Sequence, residues 1–433
     1  MLGKCYNVLI LGSGGREIAL AWKISHSEHL SKLWIASPNT DIMQYNFAQY
    51  TTLNILDSES VIAFANKEAI NLVVIGSETL LAMGMADDLR MAGIAVFGPS
   101  MAAAQLESSK KFAKKICSSC DIKTADYTFF SDKKAAQLFV QETGAPVVIK
   151  WNGLAAGKGV VVAKTQAEAM EAVNQVFALA DKQGQSENGV LIEKYLPGQE
   201  VSFFACTDGT NIFPLTTARD YKRVGDGDTG RNTGGMGAIS PAPNVSAQVE
   251  TKIIKQIIEP CLAAMRERGT PYTGVLYAGL MIHEDEIFLI EFNARFGDPE
   301  CQALMMRMDT DLLPILLSCS GVAGWSLKDC RMRWSSKSSV VLVLAAPGYP
   351  GNPHTGEEIE GLPLKAEYDA DCLVFYAGIL RNAQGRPVTA GGRVLNIVAT
   401  GEGYKQAGGK IYTIVESKKI HFPNMLYRKD IAA

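Results

Sequence analysis

The stretch KWNGLAAGKGVVVA, residues 150–163, places two lysines and three glycines before a run of β-branched residues. It differs from a P-loop, G-x-x-x-x-G-K-[ST], because Gly157 and Lys158 come one residue early and Gly159 replaces the hydroxyl residue. The valines that follow predict a strand, whereas a P-loop opens a helix. The stretch therefore predicts two strands joined by a glycine-rich flap, with Lys150 at its base. An ordinary hairpin with exposed lysines is the alternative.

The composition is that of a soluble globular protein of two to four domains, with 433 residues, 47% hydrophobic and 20% charged. With a net charge of -3, the chain has no overall positive charge that would attract nucleic acid or an anionic membrane. No stretch approaches the roughly 18 apolar residues of a membrane span. Nine scattered cysteines, with a single C-x-x-C at 117–120, fit a reducing compartment better than a disulfide framework. We therefore expect a cytoplasmic protein without nucleic-acid or membrane partners.

The order of apolar and helical segments predicts three regions. Over the first hundred residues, short apolar strands alternate with helices, which predicts a doubly wound parallel sheet. A long helical segment at 101–120 precedes an α+β unit that ends near residue 188. The polar stretch at 225–243 is predicted to be irregular because it has few apolar residues. From Ser338 onward, the pattern predicts a separate α+β domain.

Two loops follow strands of the predicted parallel sheet, GSGGRE at 12–17 and GSE at 76–78. Sites in such sheets lie at the carboxyl ends of the strands. The first loop lacks the third glycine of a dinucleotide-binding fingerprint, where Glu17 stands, and lacks the acid expected about twenty residues later. A strand-glycine-helix junction with Arg16 still suits a phosphorylated small molecule. The alternative is a tight turn that needs glycine for packing.

The segment IEFNARFGDPE, residues 290–300, carries alternating polar residues on a predicted strand. Glu291 and Asn293 face the same side, so they can share one hard cation such as Mg²⁺. Arg295 continues that face and can bind a carboxylate with two hydrogen bonds. The alternative is a polar edge strand with solvated charges.

Two further stretches suit a nucleotide and a charged substrate. In VLIEKYLPGQEVSF, the backbone of 193–195 can contact an adenine edge, and Glu200 can bind ribose hydroxyls. In TTARDYKRVGDGD, a mixed-charge cluster suits phosphate and amine recognition, although such clusters are more often solvated. That cluster consists of Arg219, Asp220, Lys222 and Arg223.

The order of these features resembles the ATP-grasp superfamily. Seven blocks carry a closer resemblance, to the phosphoribosylamine-glycine ligase (glycinamide ribonucleotide synthetase) family. They are GSGGREIALAW, AAAQLESSKKFAK, VVIKWNGLAAGKGVVVA, DYKRVGDGDTGRNTGGMGAISPAP, LYAGLMI, EFNARFGDPECQ and GGRVLNIVA.

The resemblance implies that ATP phosphorylates glycine and that the amine of 5-phosphoribosylamine attacks the acyl phosphate. The products are glycinamide ribonucleotide, ADP and phosphate. By that match, Glu291 and Asn293 hold Mg²⁺ or Mn²⁺, and Lys158, Arg295 and Asp220 are catalytic. The nucleotide site comprises Lys110, Lys150, Gly157, Lys158, Gly159, Glu193, Lys194, Tyr195, Leu196 and Glu200. The substrate site comprises Gly14, Gly15, Arg16, Glu17, Glu78, Asp220, Lys222, Arg223 and Arg295.

The resemblance also implies a domain organisation and an assembly. We expect an N-terminal substrate-binding domain at 1–102, an ATP-grasp domain at 103–325 with a small lid at 123–189, and a C-terminal domain at 326–427. The chain is expected to be a monomer or a weak homodimer, with glycine, 5-phosphoribosylamine and ATP as its small-molecule partners.

The chain departs from the family pattern at Ile18, Ser77, Thr79, Leu80, Trp151, Asn152 and Arg231. Many ATP-grasp enzymes also carry an acid about thirteen residues before the E-x-N pair, where this chain has Ala278. Two alternative functions therefore remain open. The chain could be another ATP-grasp ligase or carboxylase, or a non-catalytic nucleotide-binding protein.

Overall fold

The structure, a computed structural model, describes residues 5–39, 41–155, 159–182, 189–284, 286–363 and 365–432. No helix within these ranges is long and apolar enough to cross a membrane. The nine cysteines, all inside these ranges, are free thiols. Burial raises the pKa of Cys117 to about 12 and also raises the pKa of Cys120, which disfavours the thiolate form of both.

The N-terminal region is the predicted parallel sheet with helices on its faces. Its strands are β1 Tyr6–Leu11, β2 Leu30–Ser37, β3 Gln49–Thr52, β4 Leu72–Ile75 and β5 Ala95–Phe97. Its helices are α1 Gly15–Ser25, α2 Ser58–Lys67, α3 Glu78–Ala82 and α4 Met85–Met91. The strand order is β3-β2-β1-β4-β5, and every pair is parallel.

The apolar run of β1 explains its central position. Val8 and Ile10 pack into one hydrophobic core, and Leu9 and Leu11 pack into a second one. Both faces of the strand are therefore buried. The order of strands reverses between β1 and β4. The two loops singled out in the sequence therefore open at the switch point of the sheet, where such folds bind ligands.

The helical segment at 101–120 consists of two helices, α5 Met101–Ser108 and α6 Lys110–Ser119, not the single one expected. Ser109 interrupts it in an extended conformation, and its hydroxyl accepts a hydrogen bond from the Phe112 amide. This N-cap starts a new helix and places Lys110 in its first turn.

The lid is a four-stranded antiparallel sheet with the order β6-β9-β7-β8. Its strands are β6 Tyr127–Phe130, β7 Val147–Trp151, β8 Val160–Ala163 and β9 Val190–Lys194, and its helices are α7 Lys133–Thr143 and α8 Gln166–Lys182. β7 and β8 pair antiparallel from Val147↔Ala163 to Lys150↔Val160, which confirms the two strands beside the flap. Gly157 and Lys158 lie outside the described residues.

A nine-stranded antiparallel sheet joins the central and C-terminal regions. Its strands are β10 Gln199–Asp208, β11 Ile212–Asp220, β14 Gly237–Ser240, β15 Thr273–His283, β16 Glu286–Asn293, β17 Ser338–Ala345, β18 Glu367–Asp369, β19 Cys372–Tyr376 and β22 Arg393–Gly401. The order is β16-β15-β10-β11-β14-β17-β22-β19-β18. The strands of the C-terminal region continue the sheet of the central region, because β14 pairs with β11 on one side and β17 on the other.

Much of the polar stretch at 225–243 is regular, contrary to the expectation. It contains most of a hairpin, β12 Arg223–Gly225 and β13 Thr229–Asn232, joined by a 3-10 turn at Asp226–Asp228, and then β14. The remaining elements are β20 Ile379–Arg381, β21 Pro387–Thr389, α9 Ala247–Ile253, a π-helical turn at Ile254–Ile258, α10 Glu259–Glu267, α11 Glu300–Arg307, α12 Leu312–Cys319 and α13 Tyr404–Glu416.

Candidate active site

A cleft of about 770 Å³ lies between the lid, the nine-stranded sheet and the switch point of the N-terminal sheet. Most residues singled out in the sequence line it. They are Arg16, Glu78, Lys110, Lys150, Gly159, Glu193, Lys194, Tyr195, Leu196, Glu200, Arg219, Asp220, Lys222, Arg223, Glu291, Asn293 and Arg295.

Three residues of the predicted substrate site do not line the cleft: Gly14, Gly15 and Glu17. Glu17 folds back, and its carboxylate accepts a hydrogen bond from Arg16 Nε at 2.8 Å. A Cβ at Gly76 would lie 2.1 Å from Glu17 Oε1, so this carboxylate fills the gap between the two switch-point loops. A Cβ at Gly15 would lie 2.3 Å from Asn396 Nδ2, so glycine lets α1 approach the C-terminal strand β22.

A buried ion-pair network lies at the lid end of the cleft. Lys150 Nζ is 2.8 Å from Glu193 Oε2, and Lys114 Nζ is 3.2 Å from Glu193 Oε1. Lys150 also donates to the Ile290 carbonyl at 3.1 Å, while Lys110 donates to the Gly153 carbonyl at 3.1 Å. The sequence interpretation missed Lys114, although it lies one helical turn after Lys110 on α6.

Glu291 and Asn293 stand at the end of β16, and both line the cleft. Burial opposes the ionised form of Glu291, but Lys222, Lys150 and Lys110 outweigh it and lower its pKa. An ionised carboxylate and an amide oxygen fit a Mg²⁺ ion that takes its other ligands from phosphates and water. The described residues contain no group of three or more histidine, cysteine or acidic side chains that could hold a metal.

Arg295 is held by two carboxylates. Its Nε donates to Glu78 Oε2 at 3.2 Å, and its Nη2 is 2.9 Å from Glu107 Oε1. Arg16 Nη1 lies 3.8 Å from the same Glu78 oxygen. Arg295 was expected to continue the face of Glu291 and Asn293, but β16 ends at Asn293 and Arg295 turns toward the N-terminal sheet.

The charges around Arg295 shift the two carboxyl groups in opposite directions. Burial opposes ionisation of Glu78, yet Arg295 and Arg16 lower its pKa to about 2. Burial dominates for Glu107 and raises its pKa to about 7, although Arg295 opposes the shift. Glu107 was not predicted, even though it lies in the quoted block AAAQLESSKKFAK. Its Oε2 accepts the Ala294 amide at 2.7 Å, so it fixes the backbone beside Arg295.

The opposite wall of the cleft carries Glu200, Asp220 and Lys222. Lys222 forms an ion pair with Glu200, the residue expected at the ribose. Burial and the nearby Glu300 raise the pKa of Asp220 well above its usual value. Asp220 Oδ1 is buried and accepts no hydrogen bond from the described residues.

The C-terminal region contributes Arg393, which the sequence interpretation quoted in GGRVLNIVA without a role. Its guanidinium is 3.1 Å from Asp298 Oδ2 and donates to the Gly234 carbonyl at 2.6 Å. Both Arg393 and Asp298 line the cleft. All three regions of the chain thus meet at one site.

Family models cover most of the chain. The N domain of phosphoribosylglycinamide synthetase matches residues 6–107, its ATP-grasp (A) domain residues 108–301 and its C domain residues 339–433. The chain belongs to the phosphoribosylglycinamide synthetase family. This assignment confirms the resemblance read from the seven sequence blocks.

Curated relatives and a solved structure agree with the phosphoribosylglycinamide synthetase assignment. The phosphoribosylamine-glycine ligase of Rhizobium meliloti (strain 1021) is 46% identical over 424 residues, which cover 98% of this chain and 97% of that protein. The ligase of Yersinia pestis is 44% identical over 426 residues and 98% of both chains. The crystal structure of the Thermotoga maritima ligase superposes with a TM-score of 0.77 at 30% identity, over 98% of this chain and 100% of that one.

A more distant likeness concerns the fold alone. A biotin carboxylase from Campylobacter jejuni superposes with a TM-score of 0.73 at 17% identity, over 98% of this chain and 93% of that one. The architecture of a parallel N-terminal sheet, a central ATP-grasp domain and a C-terminal domain is therefore shared beyond the synthetase family.

Most departures from the synthetase family pattern have local structural accounts. Ile18 is buried in the core, and Ser77 is the residue before α3, where Leu80 is buried. Trp151 is fully buried, and a Cβ at Gly153 would lie 2.6 Å from its Cζ2. Asn152 Oδ1 accepts the Lys111 amide at 2.8 Å, which ties the flap to the start of α6.

Two departures remain without a role in the cleft. Arg231 is exposed on β13. Ala278 is fully buried on β15 opposite Phe292, so this position supplies no second metal carboxylate.

Proposed function

We propose that this chain catalyses the ATP-dependent ligation of glycine to 5-phosphoribosylamine through glycyl phosphate, giving glycinamide ribonucleotide, ADP and phosphate in purine biosynthesis. One observation carries the proposal. Lysines suited to phosphates, the Glu291–Asn293 oxygen pair and the Arg16–Arg295 cluster line a single cleft. Membership of the phosphoribosylglycinamide synthetase family and the ligase names of its relatives support it.

In this proposal, ATP lies at the lid end of the cleft. Lys110 and Lys150 contact its phosphates, the backbone from Glu193 to Leu196 contacts the adenine, and Glu200 binds the ribose. Phosphoryl transfer to a carboxylate depends on positioning and on neutralising charge, which suits buried lysines. Gly157, Lys158 and Gly159 cover the phosphates when the lid closes, and Lys158 assists transfer. Closure limits the loss of the acyl phosphate to water.

The metal site of the proposal is the Glu291–Asn293 pair. A bound Mg²⁺ or Mn²⁺ ion would supply charge neutralisation at the nucleotide phosphates. The low pKa of Glu291 keeps this carboxylate ionised and ready to bind a cation at neutral pH.

The amine substrate lies toward the N-terminal sheet. Arg16, with the Gly14–Glu17 turn behind it, Glu78, Lys222 and Arg223 recognise the sugar phosphate. Arg295 keeps N–H groups beyond those that bind Glu78 and Glu107, and these recognise a substrate carboxylate or phosphate.

Asp220 acts as the base for the ligation step. The amine nitrogen attacks the carbonyl carbon of glycyl phosphate, phosphate leaves with the electron pair of its C–O bond, and the nitrogen loses a proton. A carboxylate with a raised pKa, and with an oxygen that accepts no hydrogen bond from the described residues, suits that proton.

The experiment that tests the function measures phosphate release from ATP with glycine and freshly made 5-phosphoribosylamine. We expect release only when both are present, and no hydride transfer with NAD. Turnover with another amino acid or with bicarbonate, and none with glycine, would instead identify another ATP-grasp ligase or a carboxylase. Nucleotide binding without any turnover would identify a non-catalytic protein.

The same proposal includes the domain boundaries, the cellular location and the assembly of the chain. The domains are placed at 1–102, 103–325 with the lid at 123–189, and 326–427. The enzyme works in the cytoplasm, as a monomer or weak homodimer, without nucleic-acid or membrane partners. Sedimentation of the purified chain over a concentration series measures its assembly.

A further inference from the structure

The β12–β13 hairpin forms one wall of the cleft but has no core of its own. Arg223 on β12, Asp228 in the turn and Asn232 on β13 line the cleft. The hairpin is a separate two-stranded sheet, and most of β13 is exposed. A lone two-stranded hairpin is marginally stable in water, so contacts from elsewhere must hold it.

Those contacts come from the C-terminal tail, which lies beyond the domain boundary expected at 427. Arg428 is buried, and its Nη1 lies 2.6 Å from Asp228 Oδ1 and donates to the Arg223 carbonyl at 3.2 Å. Its Nε and Nη2 donate to both oxygens of Asp430, at 2.7 and 2.6 Å. Asp430 Oδ2 in turn accepts the Gly227 amide at 2.8 Å. The tail therefore binds Gly227 and Asp228 in the turn and Arg223 on the strand that precedes it.

Tyr221 adds a second connection between the tail and the substrate wall. The guanidinium carbons of Arg428 and Arg219 each lie 4.9 Å from the centre of its ring. Arg219 also approaches Asp228, with Nη2 3.8 Å from Oδ2. Tyr221 itself sits between Asp220 and Lys222, so tail contacts reach the backbone that carries both side chains.

The other end of the hairpin reaches the lid. Asn232 Nδ2 donates to the Val160 carbonyl at 3.3 Å, at the first residue of β8. The hairpin is thus fixed by the tail at its turn and touches the lid at its base.

We propose that Arg428 is a positioning residue for the ligation: with Asp430, it fixes the β12–β13 hairpin so that Arg223 and Lys222 face the amine substrate and Asn232 meets the lid. Only the kinetic consequences of this proposal rest on the proposed function. The contacts that carry it are those of the tail with the hairpin.

The first test is structural and needs no substrate. Trypsin can cut the hairpin after Lys222, Arg223 and Arg231, and the cuts are identified by mass spectrometry. We expect Arg428→Ala to speed these cuts at least tenfold. Lys429→Ala is the matched control, because Lys429 contacts Asp226 through its backbone amide while its side chain is exposed. Equal cutting of wild type and Arg428→Ala would overturn the proposal.

The second test is kinetic and separates positioning from general damage. Arg428→Ala should raise KM for 5-phosphoribosylamine at least tenfold, with KM for ATP within about twofold. Arg428→Lys, which retains the charge without the planar fork, should recover part of the loss. Equal increases in KM for 5-phosphoribosylamine and for ATP, or full activity in the alanine variant, would overturn the proposal.

If Arg428→Ala does not fold, Asp430→Asn is the second variant. It weakens the hydrogen bonds of Asp430 with Gly227 and Arg428 but retains the buried Arg428 cation. The same selective rise in amine KM is expected, and its absence in a folded protein counts against the proposal. A wild-type chain that does not ligate glycine refutes the proposed function, while the trypsin result still decides whether the tail fixes the hairpin.

Discussion

Lys150 Nζ lies 2.8 Å from Glu193 Oε2, and both side chains are almost completely buried. Lys114 binds the other oxygen of the same carboxylate, so one anion holds two buried cations. Removing one partner of a buried ion pair is costly because it leaves uncompensated charge. Glu193 is therefore a structural centre of the cleft as well as the first residue of the predicted adenine contact.

The first prediction follows from this carboxylate. Glu193→Gln should lower the free energy of unfolding by about 3 to 5 kcal/mol, because two buried lysines lose their counter-ion. Glu259→Gln breaks an exposed pair with Lys255 and should cost at most about 1 kcal/mol. Urea unfolding of the three proteins measures both differences. Equal losses in the two variants would contradict the account of the buried network.

The second prediction concerns Lys114, which touches Glu193 but was not singled out in the sequence. Lys114→Met should weaken ATP binding about tenfold, because Glu193 and with it Lys150 lose a fixed position. Lys115→Met is the control, since Lys115 is the exposed neighbour on the same helix. Isothermal titration with ATP and Mg²⁺ measures both dissociation constants. Unchanged affinity in Lys114→Met would limit Lys114 to a role in stability.

The third prediction uses the raised pKa of Glu107. A carboxyl group whose pKa is about 7 in the folded chain and 4.5 otherwise binds more protons when folded, so stability falls as pH rises through that window. Wild type should lose up to about 3 kcal/mol relative to Glu107→Gln between pH 4.5 and 7. Parallel urea unfolding curves at several pH values measure this. A constant difference between the two proteins would show that Glu107 stays ionised beside Arg295.

The fourth prediction tests the metal pair. Glu291→Gln should raise the Mg²⁺ concentration needed for half-maximal phosphate release about tenfold or more, because a hard cation loses its charged ligand. Glu286→Gln, at the exposed start of the same strand, should leave the titration curve unchanged. A wild-type curve for Glu291→Gln would remove this residue from the metal site.

The sequence predicts those parts of the molecule that depend on local patterns. The apolar run from Val8 to Leu11 predicts a buried parallel strand. Glu291 and Asn293 are two positions apart, and this spacing predicts that they share one face of a strand. The hairpin at 223–232 was missed because it packs against the charged tail, not an apolar core, and so lacks apolar alternation. Glu78, a partner of Arg295, lies 217 positions earlier in the chain, which no local pattern records.

The last prediction concerns Glu78, whose carboxylate lies between Arg295 and Arg16 at the switch point of the sheet. In Glu78→Ala, Arg295 keeps Glu107 and Arg16 keeps Glu17, so both guanidinium groups retain one partner. The loss should therefore concern the ligand that Glu78 itself contacts. A hydrogen bond from a charged group contributes about 1.5 to 3 kcal/mol, or roughly ten- to a hundredfold in affinity.

We thus expect Glu78→Ala to raise KM for 5-phosphoribosylamine by that factor while KM for ATP and glycine stays within about twofold. Glu59→Ala, an exposed carboxylate of the same N-terminal region, should change none of the three constants. Steady-state phosphate release with each substrate varied in turn measures them. If KM for 5-phosphoribosylamine is unchanged in Glu78→Ala, the loop at 76–78 is only a turn that orients Arg16 and Arg295. Arg16, Lys222 and Arg223 would then be the residues that recognise the amine.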